Sequence, residues 1–320
     1  MRYALGVDIG GTKTSLALGN SHGKILAKKI LPTLTGRRTV EGIRQISEGL
    51  LCLKSDCPAG RTIQGVGVGV PGPMNPKTGR VERSPHLAGW EGFPLKSFLE
   101  RKLKLPVWIT NDANAAAVGE KAFGEGRGVK NFVYLTISTG IGGGIVLGGK
   151  LLIGSSFGAG EVGHTIVVPG GAKCGCGHRG CLEAYASGTA IAGFVRSEIR
   201  RGKRSKASRL AGSGRRVTAE VVAEAAARGD RLSLLAFRRA GCFLGIGLAN
   251  LINLLNPEKL ILGGSVMKSS RFLWQSMTAS VRENAWPSLY RACRIVKTGL
   301  GDQVGDLGAL ALVFSGSLEG

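Results

Sequence analysis

A pattern of strand, glycine turn and strand occurs twice in this chain, and it limits the possible folds more than any other feature. Residues 5–18 read LGVDIGGTKTSLAL, and residues 135–147 read LTISTGIGGGIVL. In both segments an apolar run ends at a tight turn that needs glycine, and a second apolar run follows. Two such hairpins, one in each half of the chain, predict a duplicated architecture of two lobes, whose turns face a shared active-site cleft.

Strands alternate with helices along the remainder of the chain, which is typical of an α/β protein. Apolar runs bounded by glycine or proline predict strands at 63–70, 106–110 and 260–264. Helical periodicity predicts helices at 113–122, 217–227, 231–255 and 305–314.

The predicted lobes divide near residue 110. We expect a small N-terminal lobe over residues 1–110, which a C-terminal helix at about 303–320 completes. The large lobe would then cover residues 111–302.

Composition excludes several classes of protein. The chain has 320 residues, 43% of them hydrophobic, which suits a globular protein with a substantial core. The N-terminus shows no signal peptide, and no uncharged apolar run approaches the roughly 20 residues of a membrane helix. We therefore expect a cytoplasmic protein without a membrane partner.

The net charge of +22 is high and raises the question of a nucleic-acid partner. Its densest segment is residues 200–209, but only 6% of the chain is aromatic and no aromatic residue interrupts that segment. A surface on which bases stack is therefore poorly supported, and we predict a solvated basic loop and no nucleic-acid partner. A positive field also favours anionic substrates.

The first glycine turn combines a carboxylate with groups that suit phosphate. Asp8 lies at the end of a strand, and Gly10, Gly11, Thr12 and Lys13 follow it. Backbone N–H groups at such a turn can approach phosphate oxygens closely, and the carboxylate can hold hydrated Mg²⁺. An ordinary hairpin turn explains these six residues equally well.

The second glycine turn, at residues 136–144, strengthens the first interpretation. One such turn is weak evidence, but two at matching places in two lobes favour a nucleoside triphosphate held between them. Thr139 and Gly140 are its candidate ATP-binding residues.

Asn111 and Asp112 stand between a predicted strand and an alanine-rich helix. Asp112 has a structural explanation, because aspartate before a helix is a good N-cap. It has a functional one as well, as the general base that accepts the proton of an attacking hydroxyl. A cap does not require the preceding Asn111, which could bind a polyol.

Three of the seven cysteines, Cys174, Cys176 and Cys181, lie within eight residues. In a reducing compartment, clustered cysteines more often bind metal than form disulfides. Three thiolates and one imidazole complete a tetrahedral, structural Zn²⁺ site. His164 and His178 both compete as the fourth ligand.

Together these motifs resemble the ROK family (repressors, open reading frames and sugar kinases), and most closely its bacterial glucokinases. The resemblance covers nearly the whole chain, and the cysteine segment is its most specific part. Its motifs are DIGGTK at 8–13, GVGVPGP at 67–73, LAGW at 87–90, NDAN at 111–114, EVGH at 161–164, CGCGHRGCLE at 174–183, and the segment from NPE at 256–258 to the glycines at 263–264.

The resemblance implies an actin-like, ribonuclease-H-type ATPase fold with hinged lobes, ATP with Mg²⁺ as the phosphoryl donor, and a homodimer. It implies Asp112 as the base, and His164 as the fourth zinc ligand. The sugar hydroxyls would be bound by Asn111, Asp112, Glu161, His164 and Glu183, and the adenosine side of ATP by Gly263 and Gly264. One ring nitrogen of His164 would bind zinc and the other would face the sugar, so that the structural metal orients a sugar ligand.

The expected function is therefore ATP-dependent phosphorylation of glucose at its 6-hydroxyl. Kinases for N-acetylmannosamine, N-acetylglucosamine, fructose or allose remain alternatives, because His86 stands where many relatives carry a polar amide. A sugar-responsive repressor would need a helix-turn-helix ahead of the first strand, and only seven residues precede Asp8. A catalytically inactive sugar-binding protein would not need Asp8, Lys13 and Asp112 together.

Overall fold

The computed structural model describes residues 1–72, 74–82, 87–212 and 216–315. His86 lies outside these ranges. Within them the strands are β1 (Tyr3–Ile9), β2 (Lys13–Asn20), β3 (Ile25–Pro32), β4 (Ile63–Val70), β5 (Met74–Asn75), β6 (Arg80–Val81), β7 (Val107–Asn111), β8 (Phe132–Ile137), β9 (Ile141–Leu147), β10 (Lys150–Leu152), β11 (Lys259–Gly263) and β12 (Arg294–Lys297).

Eleven helices lie between and after these strands in the described residues. They are α1 (Thr39–Ser55), α2 (Leu95–Leu103), α3 (Asp112–Phe123), α4 (Glu183–Ala186), α5 (Gly188–Arg200), α6 (Lys206–Ala211), α7 (Ala219–Ala227), α8 (Arg231–Leu255), α9 (Trp274–Asn284), α10 (Pro287–Ala292) and α11 (Val304–Ser315). Short 3₁₀ turns occur at Gly36–Arg38, Val162–His164, Ser265–Phe272 and Gly301–Gln303.

Two five-stranded sheets have the same strand order. The first runs β3-β2-β1-β4-β7 and the second β10-β9-β8-β11-β12. In the first sheet, β2 is antiparallel to both β1 and β3, whereas β1, β4 and β7 are parallel. Each sheet therefore begins with an antiparallel hairpin built on one of the glycine turns, and the duplication predicted from those turns is confirmed.

The chain forms two compact units. The first contains Met1–Tyr134, Gly144–Gly160 and the described residues from Thr298 onward, and the second contains Leu135–Gly143 and Glu161–Lys297. The units do not follow the predicted boundary at residue 110, because α3 packs against α11 inside the first unit.

The core of the first unit lies around β1 and β4, whose residues are almost entirely buried. Central strands covered on both faces are expected to be continuously apolar, as these are. Helix α1 contributes Ile43, Ile46 and Leu50 to the same cluster. On the other side, Leu307 and Leu310 of α11 pack with Ala4.

Helix α8 forms the centre of the second unit. Asp230 caps its N-terminus, and Asn256 ends it in the left-handed conformation that asparagine tolerates (φ 44°). The helix is long and apolar enough to cross a membrane, but 61% of its most apolar stretch is buried within the protein. It is therefore a core helix, with Leu244, Leu248 and Ile252 facing inward.

The basic segment after α5 differs from the predicted solvated loop. Arg200 ends α5, and residues 206–211 form α6. Ser205 is buried and donates a hydrogen bond to Asp230 at 2.8 Å. The segment is thus tied to α8, although most of its basic side chains are exposed; residues 213–215 lie outside the described residues.

Candidate functional site

The first glycine turn joins β1 to β2. Gly10 N–H donates to the carbonyl of Lys13 at 2.9 Å, which closes the turn. Thr33 Oγ1 donates to the Gly10 carbonyl at 2.7 Å and holds the turn from outside. Gly11, Thr12 and Lys13 are exposed, as a site that receives phosphate requires.

Asp8 lies beside this turn in an electrostatically unusual position. Burial, and after it the nearby Asp306 carboxylate, raises the pKa of Asp8 from 3.8 to about 6, against the lowering effect of Lys28 and Lys13. Asp306 is only 2% exposed and forms an ion pair with Lys28. Asp306 was not among the residues predicted for the site, although an acidic residue in the apolar C-terminal helix was a signal for it.

The structure assigns the helix cap to Asn111 and not to Asp112. The Asn111 side-chain oxygen accepts hydrogen bonds from the backbone N–H groups of Ala113 (2.9 Å) and Asn114 (3.4 Å), and its amide donates to Gly72 O at 3.2 Å. Asp112 is the first helical residue, and its Oδ1 accepts from Ala113 N at 2.8 Å. The interpretation of Asp112 as the N-cap was therefore wrong, because the cap falls one residue earlier.

Asp8 and Asp112 come together at one edge of the first sheet. Asp8 is paired in register with Gly69 of β4, and Val70 of β4 with Asn111 of β7. A Cβ placed on Gly69 would lie 3.5 Å from Asp112 Cα and 3.8 Å from Asp8 Oδ1. The two carboxylates thus flank the carboxyl ends of parallel strands, where α/β sheets commonly bind ligands.

The second glycine turn joins β8 to β9 and is held from several sides. Ser138 N–H donates to Gly140 O at 2.8 Å within the turn, and Ser138 O accepts from Gly188 N at the start of α5 at 2.7 Å. Glu183 Oε2 accepts from Ile141 N at 2.9 Å. A Cβ on Gly140 would lie 2.4 Å from that oxygen, so only glycine allows this close approach.

The glycines at the end of β11 lie against the same turn. Gly264 has a φ of +92°, and a Cβ there would lie 2.4 Å from Ile137 O. Ser138 Oγ and Ser265 Oγ are 2.9 Å apart. The second unit thus brings the predicted residues Thr139 and Gly140 together with Gly263 and Gly264. The serine pair was not predicted, since serines in turns carry no specific sequence signal.

The four predicted zinc ligands form one cluster. The ligand atoms of His164, Cys174, Cys176 and Cys181 all lie within 4.8 Å of one another. Cys176 Sγ is 3.7 Å from Cys181 Sγ, and Cys174 Sγ is 3.7 Å from His164 Nδ1. Ligands of a tetrahedral zinc with bonds of about 2.3 Å lie about 3.8 Å apart, so this donor set fits Zn²⁺.

His178 lies outside that cluster but contacts it. Its Nδ1 is 3.6 Å from Cys176 Sγ. The hydrogen bond from the His178 backbone lowers the pKa of Cys176 to about 6, which favours the thiolate that a metal requires. His178 therefore favours the thiolate of Cys176 alone, whereas the His164 ring lies in the cluster with all three cysteines.

His164 directs its two ring nitrogens in different directions. Nδ1 lies toward Cys174, and Nε2 is 4.0 Å from Glu161 Oε2. Glu183 Oε1 lies 3.8 Å from Cys174 Sγ, so a predicted sugar ligand adjoins the cysteine cluster. Glu161 and His164 are partly exposed. The second unit therefore holds Glu161, His164 and Glu183, whereas Asn111 and Asp112 belong to the first.

Comparisons with known proteins show similarity over nearly the whole chain. The model of the ROK family matches residues 4–315. A glucokinase from Thermotoga maritima is 38% identical over 97% of this chain and 96% of its own length. A xylose repressor from Caldicellulosiruptor bescii is 31% identical over 98% of this chain and 79% of its own length.

Solved structures show the same similarity. The crystal structure of a ROK family glucokinase from Streptomyces griseus in complex with glucose and AMPPNP superposes with a TM-score of 0.82 at 32% identity, covering 98% of this chain and 100% of that one. Family model, sequence relatives and structural neighbours all span nearly the full chain, which has the actin-like ATPase fold. This chain therefore belongs to the ROK family.

Proposed function

We propose that the protein is an ATP-dependent hexokinase that phosphorylates glucose at its 6-hydroxyl. The observation that carries the proposal is the placement of Asp8 and Asp112 on either side of Gly69, at the carboxyl ends of parallel strands. One carboxylate adjoins the exposed phosphate-binding turn, and the other begins a helix as a candidate base. The Thermotoga maritima relative, named glucokinase, supports glucose as the acceptor.

Asp112 would act as the general base. As the sugar oxygen attacks the γ-phosphorus of ATP, its proton passes to the Asp112 carboxylate. The new O–P bond forms while the bond between the γ-phosphorus and the β–γ bridging oxygen breaks, and ADP leaves. Because Asn111 already caps α3, Asp112 is not required for that purpose.

In the first unit, the first glycine turn would contact the phosphate groups through Gly10, Gly11, Thr12 and Lys13. Asp8 would hold Mg²⁺ through water, and this ion would neutralise charge on the phosphates. Thr139 and Gly140, together with Gly263 and Gly264, would bind the other side of ATP.

The sugar would be bound by polar groups that are partly buried, except Glu161, which is exposed. Glu161, His164 and Glu183 adjoin the cysteine cluster, and a structural zinc there would fix the orientation of His164. Within the described residues, the Asn111 amide donates one of its two hydrogens, to Gly72, so the other can be donated to a sugar hydroxyl. A site of this kind rejects analogues that lack a hydroxyl, because its own polar groups are then left unpaired. We also expect a cytoplasmic homodimer.

A coupled assay with ATP and a panel of sugars tests the proposal. The panel should contain glucose, fructose, allose, xylose, N-acetylglucosamine and N-acetylmannosamine. The expected result is the highest kcat/KM for glucose, with the phosphate on O6 by NMR. Turnover of another hexose alone would correct the substrate. Binding of xylose without turnover, together with specific binding to DNA, would favour a regulator.

A further inference from the structure

One side chain in the second unit has an unusual environment that the proposed mechanism does not use. The Arg239 guanidinium lies over three aromatic rings, with Cζ 4.9 Å from the centroid of Phe194, 5.1 Å from Phe243 and 5.2 Å from Tyr185. Within the described ranges, no carboxylate oxygen lies within 4.0 Å of its nitrogens. Arg239 is therefore bound by rings and not by an ion pair.

The three rings belong to three helices. Tyr185 lies on α4, Phe194 on α5, and Phe243 one turn after Arg239 on α8. The rings of Tyr185 and Phe243 also contact each other, at 4.3 Å between centroids. A guanidinium above several ring faces gains electrostatic attraction from each, and most where water is partly excluded. Arg239 is half-buried and Tyr185 is buried, so this condition holds.

Tyr185 connects Arg239 and its aromatic rings to the loop that leads into the cysteine segment. Its hydroxyl accepts a hydrogen bond from the backbone N–H of Ala172 at 2.6 Å. Ala172 lies two residues before Cys174. A Cβ on Gly171 would lie 2.0 Å from the same hydroxyl, which shows how closely the loop sits on the ring.

Tyr185 is also in the same short helix as Glu183. Helix α4 has only four residues, too few to hold its own orientation through internal hydrogen bonds. Its direction must therefore come from packing. The Glu183 carboxylate at its start reaches Ile141 N at 2.9 Å, a contact that a small rotation of α4 would break.

We propose that Arg239 is a positioning residue for sugar binding, which holds Tyr185 and thereby fixes α4, Glu183 and the loop at Ala172. The inference rests on the proposed function, because it takes Glu183 as a sugar ligand. Arg239 itself touches neither the cysteine cluster nor Glu183 in the contacts described above. Its effect on sugar binding is indirect.

The test compares Arg239→Met and Arg239→Lys with the control Arg238→Met. Methionine keeps a long apolar side chain but removes the charge, lysine keeps the charge, and Arg238 is an exposed neighbour. We expect Arg239→Met to raise the sugar KM about three- to thirtyfold, the range expected for losing such cation–π contacts. The KM for ATP and kcat should stay within about threefold, zinc should stay at one per chain, and Arg239→Lys should restore most of the sugar KM.

A folded Arg239→Met variant with the KM of the wild type overturns the inference. So does an equal rise in both KM values, loss of zinc, or a lysine variant that behaves like the methionine variant. If Arg239→Met does not fold, Arg239→Gln, which also removes the charge, replaces it on the same criteria.

Hydrogen–deuterium exchange separates this inference from the proposed function. We expect peptides covering residues 165–187 to exchange about three- to thirtyfold faster in Arg239→Met, since the acceptor of the Ala172 N–H is less firmly held. Unchanged exchange there would contradict the positioning role. If the wild-type protein phosphorylates no sugar, the proposed function fails while this measurement still tests the role of Arg239.

Discussion

Glu183 accepts a hydrogen bond from the backbone N–H of Ile141 at 2.9 Å, and its other oxygen lies 3.8 Å from Cys174 Sγ. One carboxylate thus contacts both the second glycine turn and the cysteine cluster. Since Glu183 is also a proposed sugar ligand, the parts of the second unit proposed to bind sugar, phosphate and metal meet at this side chain.

Gly140→Ala should disturb this junction without replacing any polar side chain. The added methyl group would lie 2.4 Å from Glu183 Oε2 and must displace the carboxylate. We expect the sugar KM to rise about tenfold or more, as after loss of a hydrogen bond to a charged group. Steady-state kinetics measure this, with Gly175→Ala as control because a Cβ there meets nothing within 4 Å. An unchanged sugar KM would remove Glu183 from the sugar site.

Cys176→Ala should release the metal and weaken sugar binding much more than ATP binding. Cys176 is one of the four residues that could hold a metal ion. Two of the others adjoin proposed sugar ligands, since His164 lies near Glu161 and Cys174 near Glu183. We expect one zinc per chain in the wild type and less than one in the variant, by metal analysis. Calorimetry should show the greater loss for glucose, and exposed Cys52→Ala should behave like the wild type.

A variant without zinc but with wild-type sugar affinity would mean that the cluster is only a thiol-rich loop. Equal losses of sugar and ATP affinity would mean that the metal supports the whole second unit.

The sequence predicted elements whose signals are local. Helix α8 was predicted at residues 231–255 from its helical periodicity, and the structure has the same bounds. The two glycine turns predicted the duplicated sheets for the same reason.

Relationships between distant residues could not be predicted in this way. Ser205 and Asp230 are both ordinary turn or cap residues, and nothing local shows that they bond to each other and order the basic segment. The cap of α3 was assigned one residue late because Asn111 and Asp112 are equally good caps by type. The rings around Arg239 come from three helices, so no local pattern marks them.

Asp230→Asn should lower stability at neutral pH. Burial alone would raise the pKa of Asp230, but hydrogen bonds from Lys206 N, Ser233 and Ser205 outweigh it, so the pKa is lowered. A lowered pKa means that the carboxylate stabilises the fold above its ordinary pKa of about 3.9 and loses this effect as the pH falls through the folded value.

We therefore expect Asp230→Asn to reduce the free energy of unfolding by about 2 kcal/mol at pH 7. Urea unfolding at several pH values should show this difference shrinking below about pH 4. Exposed Asp56→Asn is the control. A difference that is constant with pH would show that the charge of Asp230 does not matter.

Neutralising the exposed arginines of the basic segment should leave catalysis almost unchanged. Arg200→Gln with Arg204→Gln removes two charges that have no ion-pair partner within the described part of the chain, so kcat and the sugar KM should stay within about threefold. Arg201→Gln with Lys203→Gln should instead lower the melting temperature, because both side chains pair with the buried Glu198. Salt-sensitive nanomolar binding to duplex DNA that only the first pair abolishes would contradict this account.

The most direct test of the central claim is the single-turnover rate of phosphoryl transfer from ATP to glucose in Asp112→Asn and the wild type. Asn111 caps α3, so the variant should keep the wild-type melting temperature, whereas Asn111→Ala should lose about 1 kcal/mol of stability. We predict that Asp112→Asn lowers the rate by ~10²–10⁴, the usual cost of losing a general base, while glucose and ATP still bind. A folded Asp112→Asn variant that forms glucose 6-phosphate at the wild-type rate would contradict the account.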